Sequence, residues 1–92
     1  MSMKERWALD EGFRVLSYTF RIRTTSDVCA ELVLRSVAAC RDPSVGFDAP
    51  AYRLEDGDRR SLLTLDDQVL LKNARRGNTF QHLVWHLMNN AV

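Results

Sequence analysis

One stretch of this chain alternates so regularly that it constrains the rest of the fold. Between residues 16 and 23, apolar side chains alternate with polar or basic ones. Because successive side chains of a strand point to opposite faces, this pattern predicts a strand over Phe13–Thr24 with one apolar face. That face must be covered, so the chain has to supply a second layer. The apolar set is Leu16, Tyr18, Phe20 and Ile22, and the polar set is Ser17, Thr19, Arg21 and Arg23.

The residues that follow predict a helix to form this second layer. Either Thr25 or Ser26 can cap its N-terminus, and Asp27 in the first turn is favourable for the helix dipole. The helix is predicted to run to about Cys40, before Pro43. Its apolar residues recur at the spacing of one helix face, which indicates the side that packs on the sheet. They are Cys29, Ala30, Val33, Leu34 and Val37.

The other predicted elements are short. Lys4–Leu9 is predicted to be a strand that a turn at residues 10–12 joins to the strand Phe13–Thr24. Residues 42–50, which contain two prolines and a glycine, are predicted to form a loop. The remaining predicted elements are a strand at Ala51–Leu54, a strand at Ser61–Leu65 and a short helix at Asp67–Ala74.

Residues Thr79–Met88 fit two structures. As a helix, their apolar residues fall at i, i+3, i+4, i+7 and i+8, the better periodic match. As a strand, they would give the first hairpin a further partner, which matters because a two-stranded sheet is only marginally stable. We assign a strand on that ground. The resulting prediction is an α+β fold, a mixed sheet of about five strands with one main helix and one short helix.

Length and charge limit the function classes. The 92 residues predict a single domain over positions 1–92. The net charge of +1, from 13 basic and 12 acidic residues, argues against general nucleic-acid binding, which needs a large basic excess. No apolar run approaches the roughly 20 residues of a transmembrane segment, and the N-terminus lacks the apolar stretch of a signal peptide. We therefore expect no transmembrane segment and a cytoplasmic location.

No motif in the chain indicates catalysis. The sequence contains no P-loop, dinucleotide fingerprint, nucleophile elbow or metalloprotease motif. His82 and His86 could both ligate zinc if they lay on a helix, but no cysteine or carboxylate within a few residues completes a ligand set. We expect no metal, no cofactor and no enzymatic activity.

Three segments resemble Ras-association domains, which have the ubiquitin-like β-grasp fold. They are TTSDVCAELVLRSV, AYRLEDGDRRSLLTLDDQVL and TFQHLVWHL, within about residues 12 to 88. The resemblance implies a β-grasp module whose second strand lies at a sheet edge and pairs with a strand of a Ras-family small GTPase. The simpler interpretation is that outward arginines only solubilise an edge strand. The partner-binding residues that the resemblance implies are Arg14, Arg21, Arg23 and Arg35.

A second, local resemblance leads to a different function. RLEDGDRRSLLTLDDQVL resembles a segment of the N-terminal domain of partitioning-defective polarity scaffolds, which self-assemble head to tail. By this resemblance Asp66 and Asp67, together with Glu55, Asp56 and Asp58, belong to an acidic face that meets the arginines of another copy. The simpler interpretation is that Asp66 caps a helix and residues 56–58 form a turn. We therefore expect a protein-interaction module, with a GTPase as the leading partner and self-association as the alternative.

Overall fold

The computed structural model describes residues 7–57 and 60–91, which form five strands, two α-helices and one turn of 3-10 helix. The predicted strands of residues 51–54 and 61–65 and the main helix are confirmed. Ser26 caps that helix, because its hydroxyl accepts a hydrogen bond from the backbone N–H of Cys29 at 3.2 Å. The elements are β1 (Leu9–Val15), β2 (Tyr18–Thr24), α1 (Asp27–Val37), a 3-10 turn (Ala38–Cys40), β3 (Ala51–Asp56), β4 (Ser61–Leu65), β5 (Gln68–Ala74) and α2 (Arg76–Ala91).

The strands lie in the sheet in the order in which they occur along the chain. The order is β1-β2-β3-β4-β5, with β2 and β3 parallel and the other neighbours antiparallel. The predicted α+β class and mixed five-stranded sheet are confirmed for the described residues. The strand order is not that of a β-grasp. The prediction that β2 lies at an edge is wrong, because β1 flanks it on one side and β3 on the other.

Both helices pack on the same face of the sheet, which we call the inner face. α1 contacts β1, β2 and β3, whereas α2 contacts β4, β5 and α1. The opposite face, which we call the outer face, is covered by neither helix. The inner face contains the core, and the Cα radius of gyration of 12.6 Å is that of a compact chain of this length. The fully buried apolar side chains are Phe13, Phe20, Ile22, Val33, Tyr52, Leu54, Leu63 and Leu83.

The first hairpin is shifted relative to the prediction. The chain reverses between β1 and β2, at Leu16 and Ser17, and not at residues 10–12. Leu16 has a φ of 56° and is 74% exposed, so it does not belong to the apolar face of β2. Two-residue hairpin turns favour Asn and Gly, and neither residue is present here to indicate the turn. Of the predicted strand Lys4–Leu9, residues 4–6 lie outside the described residues.

The last two elements exchange the structures that were predicted for them. The segment Asp67–Ala74, predicted to be a helix, contains β5, and Thr79–Met88, predicted to be a strand, lies within α2. β3 pairs with β2 in parallel, so the first hairpin needs no partner from the C-terminal segment. The helical spacing of residues 79–88 therefore prevails, and Leu83 and Leu87 are buried against the sheet. Register irregularities in β5, next to Asn73 with its φ of 56°, obscure the alternation of a strand.

The chain between α1 and β3 crosses the outer face of the sheet. Arg41 forms a bridge with Phe13 at the edge of β1, and the N–H of Asp42 donates to the carbonyl of Gly12 at 2.9 Å. Val45 then lies directly on Gly12, where an added Cβ would be 2.5 Å from the Val45 Cβ. Only glycine allows so close an approach. The crossing segment, residues 41–50, thus leads from β1 over the outer face to β3.

Phe20→Ala tests the corrected strand boundaries. Phe20 is fully buried, so its truncation should lower the free energy of unfolding by about 3–5 kcal/mol in chemical denaturation. The matched control is Leu16→Ala, whose exposed side chain should change stability by no more than about 0.5 kcal/mol. Equal losses for the two variants would contradict the turn at residues 16 and 17.

Candidate functional site: the outer face of the sheet

The outer face has four arginines on three adjacent strands. Because alternate residues of these strands enter the core, the residues between them must point outward. Two aromatic rings, Trp7 and Phe47, lie against this basic surface. The arginines are Arg14 on β1, Arg21 and Arg23 on β2, and Arg53 on β3.

The structure separates Arg35 from the other predicted contacts. Arg35 lies on α1, in the helical layer, and its guanidinium pairs with Glu31 at 2.6 Å. Both side chains are largely exposed, as is usual for an i, i+4 pair on a helix surface. A single partner surface that contacts the outer arginines would therefore not reach Arg35 as well.

Arg21 is an internal anchor. Its side chain is 8% exposed, and its Nη1 donates to the carbonyl of Val45 at 2.9 Å. Its Nη2 donates to the carboxylate of Asp10 at 3.0 Å, and the Phe47 ring lies 4.2 Å from the guanidinium carbon. Its Nε has no hydrogen-bond partner among the described residues. Arg21 therefore binds the crossing segment to the sheet.

Arg14 also binds the crossing segment. Its Nε pairs with Asp42 at 2.9 Å, and the Ser44 hydroxyl donates to the same carboxylate at 2.6 Å. The Ser44 hydroxyl, followed by Arg14, lowers the pKa of Asp42 to about 2. Asp42 therefore remains ionised throughout the physiological range and holds the segment beside β1.

Arg23 and Arg53 form a pair of partly exposed arginines on the outer face. They are direct cross-strand neighbours on β2 and β3, and their side chains are 29% and 40% exposed. Arg23 pairs with Asp10 at 3.1 Å, and Arg53 with Glu55 at 2.7 Å. Like charges directly opposite each other destabilise a sheet, and these carboxylates offset that repulsion.

Trp7 connects these two arginines. The centre of its ring lies 5.0 Å from the guanidinium carbon of Arg53 and 5.9 Å from that of Arg23, within the range of cation–π attraction. Beside the three side chains is an open pocket of about 360 Å³. The residues that line it are Trp7, Arg23, Ala51, Arg53, Asp66 and Asp67.

The structure places Asp66 and Asp67 next to the basic residues. Both lie in the turn between β4 and β5, and the Asp66 carboxylate accepts a hydrogen bond from the N–H of Ala51 at 3.1 Å. Asp66 has a φ of 52°, which fits a tight turn and not the helix cap expected from the sequence. Of the predicted basic residues, Arg23 therefore shares the lining of this pocket with Asp66 and Asp67.

The other predicted acidic residues serve the fold. The Asp56 carboxylate accepts from Arg76 at the start of α2 at 2.8 Å and from the Ser61 hydroxyl of β4 at 3.1 Å. Glu55 accepts from the Thr25 hydroxyl at 2.9 Å. Asp58 lies outside the described residues.

A hydrogen-bonded chain on the inner face involves three ring side chains. The hydroxyl of buried Tyr52 lies 2.8 Å from that of Tyr18 and 2.6 Å from Nδ1 of His86. Burial is the main cause that raises the pKa of Tyr52, and burial also raises the pKa of the Cys29 thiol. The raised pKa values keep the Cys29 thiol and the Tyr52 hydroxyl protonated at neutral pH.

The sequence interpretation missed three residues of the site, namely Trp7, Phe47 and Arg53. Arg53 lies between the buried residues Tyr52 and Leu54, so the phase of β3 contained the signal that it faces outward. Phe47 belongs to an irregular segment, where no periodicity could indicate what it contacts.

Comparison with protein families, curated proteins and solved structures found no significant match to this chain. The described residues contain no group of three or more His, Cys, Asp or Glu side chains arranged to hold a metal ion. Within residues 7–57 and 60–91, no helix has the length and apolarity required to span a membrane.

Arg21→Met tests the anchoring role of the buried arginine. The substitution keeps much of the side-chain volume and removes the hydrogen bonds to Val45 and Asp10, so unfolding should become easier by about 2–4 kcal/mol. Limited proteolysis should also cleave residues 41–50 faster than in the parent protein. Arg14→Met is the control, because the exposed pair with Asp42 should contribute no more than about 1 kcal/mol. A smaller effect for Arg21→Met than for the control would disprove the anchor.

His86, whose Nδ1 contacts the Tyr52 hydroxyl on the inner face, predicts that the stability of the fold depends on pH. Burial, together with the neighbouring His82, lowers the pKa of His86 from its ordinary value of 6.5. Below about pH 6.5 the folded state therefore binds fewer protons than the unfolded state. The contribution of His86 to the free energy of unfolding is complete above about pH 6.5 and decreases as the pH falls. Denaturation at about pH 7.5 and about pH 5.5 should show this loss.

The matched variants for this experiment are His86→Gln and His82→Gln. The first should reduce the loss of stability at acidic pH, and the second should retain most of it, since Tyr52 still has His86 as its acceptor. A pKa of His86 above 6.5 in an NMR titration of the folded protein would contradict the prediction.

Proposed function

We propose that this chain is a non-catalytic protein-interaction module that binds an acidic partner surface through Trp7, Arg23 and Arg53 on the outer face. Arginine and tryptophan are the residue types that most often supply the binding energy at protein interfaces. Stacking against Trp7 and pairing with carboxylates already restrict both guanidiniums. Binding would therefore cost less side-chain entropy than it would for free arginines.

The observation that carries this proposal is the cross-strand pair of Arg23 and Arg53. Like charges directly opposite each other destabilise a sheet, which favours a role for this pair outside the fold. Arg23 uses its Nε to bind Asp10, and its two terminal nitrogens have no hydrogen-bond partner among the described residues. These nitrogens match the paired oxygens of a carboxylate, which favours an acidic partner.

The proposed partner class is a Ras-family small GTPase, and it rests on the resemblance of the sequence to Ras-association domains. The mode of binding differs from the one that the resemblance implies, since residues 21–24 of β2 already pair with β3 and offer no free edge. We propose contact through side chains of the outer face. A cytoplasmic location and a functional likeness to ubiquitin-like modules belong to the same proposal.

The head-to-tail alternative requires a basic face and an acidic face that point in different directions. Arg23 and Asp67 instead line the same pocket, which supports an acidic partner over a head-to-tail contact. Binding of an acidic partner is therefore the function that we propose.

Charge reversal of the outer arginines tests this function. Arg23→Glu combined with Arg53→Glu should weaken binding to a GTPase loaded with a GTP analogue at least about tenfold in calorimetric titration. The matched control, Arg35→Glu, changes the sign of an exposed arginine in the helical layer and should leave the affinity unchanged.

Thermal denaturation should accompany these titrations, because the double variant also removes two ion pairs of the sheet. The variant must retain a cooperative transition for the comparison to count. No binding of the parent protein across a panel of Ras-family GTPases would disprove the partner class. Equal losses for the outer-face variant and the Arg35 control would disprove the proposed surface.

A further inference from the structure

The outward side of α2 is unusual for a helix on a protein surface. Residues 77–91 contain no Asp, Glu, Lys or Arg, although surface helices normally present charged side chains to water. Two large apolar side chains project from this side, Trp85 at 60% exposure and Met88 at 62%. Burial of Leu83 and Leu87 against the sheet fixes the helix orientation, so this exposure follows from the packing of α2.

Trp85 and Met88 form one continuous patch. They are three residues apart, so they lie next to each other on the helix surface. The ring of His82 adds to the patch, because its centre lies 5.9 Å from that of Trp85. Tryptophan and methionine are enriched in the centres of protein interfaces, from which charged residues are depleted. By contrast, α1 exposes Asp27, Glu31 and Arg35.

We propose that this patch is a symmetric self-association surface whose occupant is the same patch of a second copy of this chain. An uncharged surface favours an uncharged occupant, because a charged one would lose hydration without gaining an opposite charge. In a two-fold symmetric contact the same patch lies on both sides of the interface, so a patch of like charges would repel its own copy. The side of α2 has no such charge.

The spacing of the two residues defines the pairing. Two antiparallel copies of α2, with the two-fold axis midway between positions 85 and 88, place Trp85 of each copy against Met88 of the other. The contact is favourable, since a thioether sulfur packs well against an aromatic ring. A contact centred on two side chains of each copy is smaller than the roughly 800 Å² per partner of a stable interface. The dimer is therefore weak and reversible.

The surface is separate from the one in the proposed function. α2 packs on the inner face, whereas Trp7, Arg23 and Arg53 lie on the outer face. A dimer through α2 leaves the arginines accessible, and it would present two copies of the outer face to a partner. The double variant of Arg23 and Arg53 should therefore still dimerise, so the two proposals can fail independently.

Sedimentation velocity on the full chain tests the proposal. Between about 10 µM and about 1 mM, where an interface of this size should dissociate, the average mass should rise from that of a monomer toward that of a dimer. Met88→Glu alone and Trp85→Lys alone should each remain monomeric. The control Leu16→Glu, which places a charge on an exposed apolar residue of the β1–β2 turn, should dimerise like the parent protein.

Mixing the two monomeric variants tests the pairing itself. In the mixed dimer, Glu at position 88 of one copy meets Lys at position 85 of the other, and the second contact retains the native Trp85 and Met88. The mixture should therefore recover a dimer at concentrations where each variant alone is a monomer. A parent protein that stays monomeric, a dimer that survives Met88→Glu, or a mixture that stays monomeric would overturn the proposal. Each variant should melt near the parent, since both side chains are exposed.

Discussion

The parallel pairing of β2 with β3 is the constraint on which the rest of this structure depends. Parallel neighbours need a crossover connection, and here α1 and the crossing segment of residues 41–50 supply it. The helix covers the inner face, and the segment that follows returns over the outer face. This segment follows one row of cross-strand neighbours, formed by Gly12, Arg21 and Ala51.

This row explains why neighbouring arginines on one strand have different roles. Gly12 has no side chain, so Val45 can lie on the sheet, and Arg21 lies beneath the segment, where it donates to the Val45 carbonyl. Arg23 is two residues further along β2, where the crossing segment provides it with no hydrogen bond. Burial therefore assigns Arg21 to the fold and leaves Arg23 partly exposed on the outer face.

The sequence predicted the elements whose signals are local. α1 has a serine cap and a regular apolar stripe, and β4 was predicted with its observed bounds. The prediction of a strand for residues 79–88 was wrong because it depended on which strands pair across the sheet. Hydrophobic periodicity does not contain that information. The alternation of β2 correctly predicted that Arg21 points away from the core. No pattern in the strand could show that the crossing segment, which is distant in the sequence, covers it.

The stability of Gly12→Ala tests most directly whether the crossing segment lies over the outer face of the sheet. The added Cβ would approach the Val45 Cβ and the Asp42 carbonyl, so the crossing segment must move and the free energy of unfolding should fall by about 1–3 kcal/mol. Gly77→Ala is the matched control, since nothing lies within 4 Å of the added Cβ and alanine favours a helix. A loss for Gly12→Ala, with faster amide exchange in residues 41–50 and no loss for Gly77→Ala, is the predicted result. Unchanged stability of Gly12→Ala would contradict the crossing of the outer face.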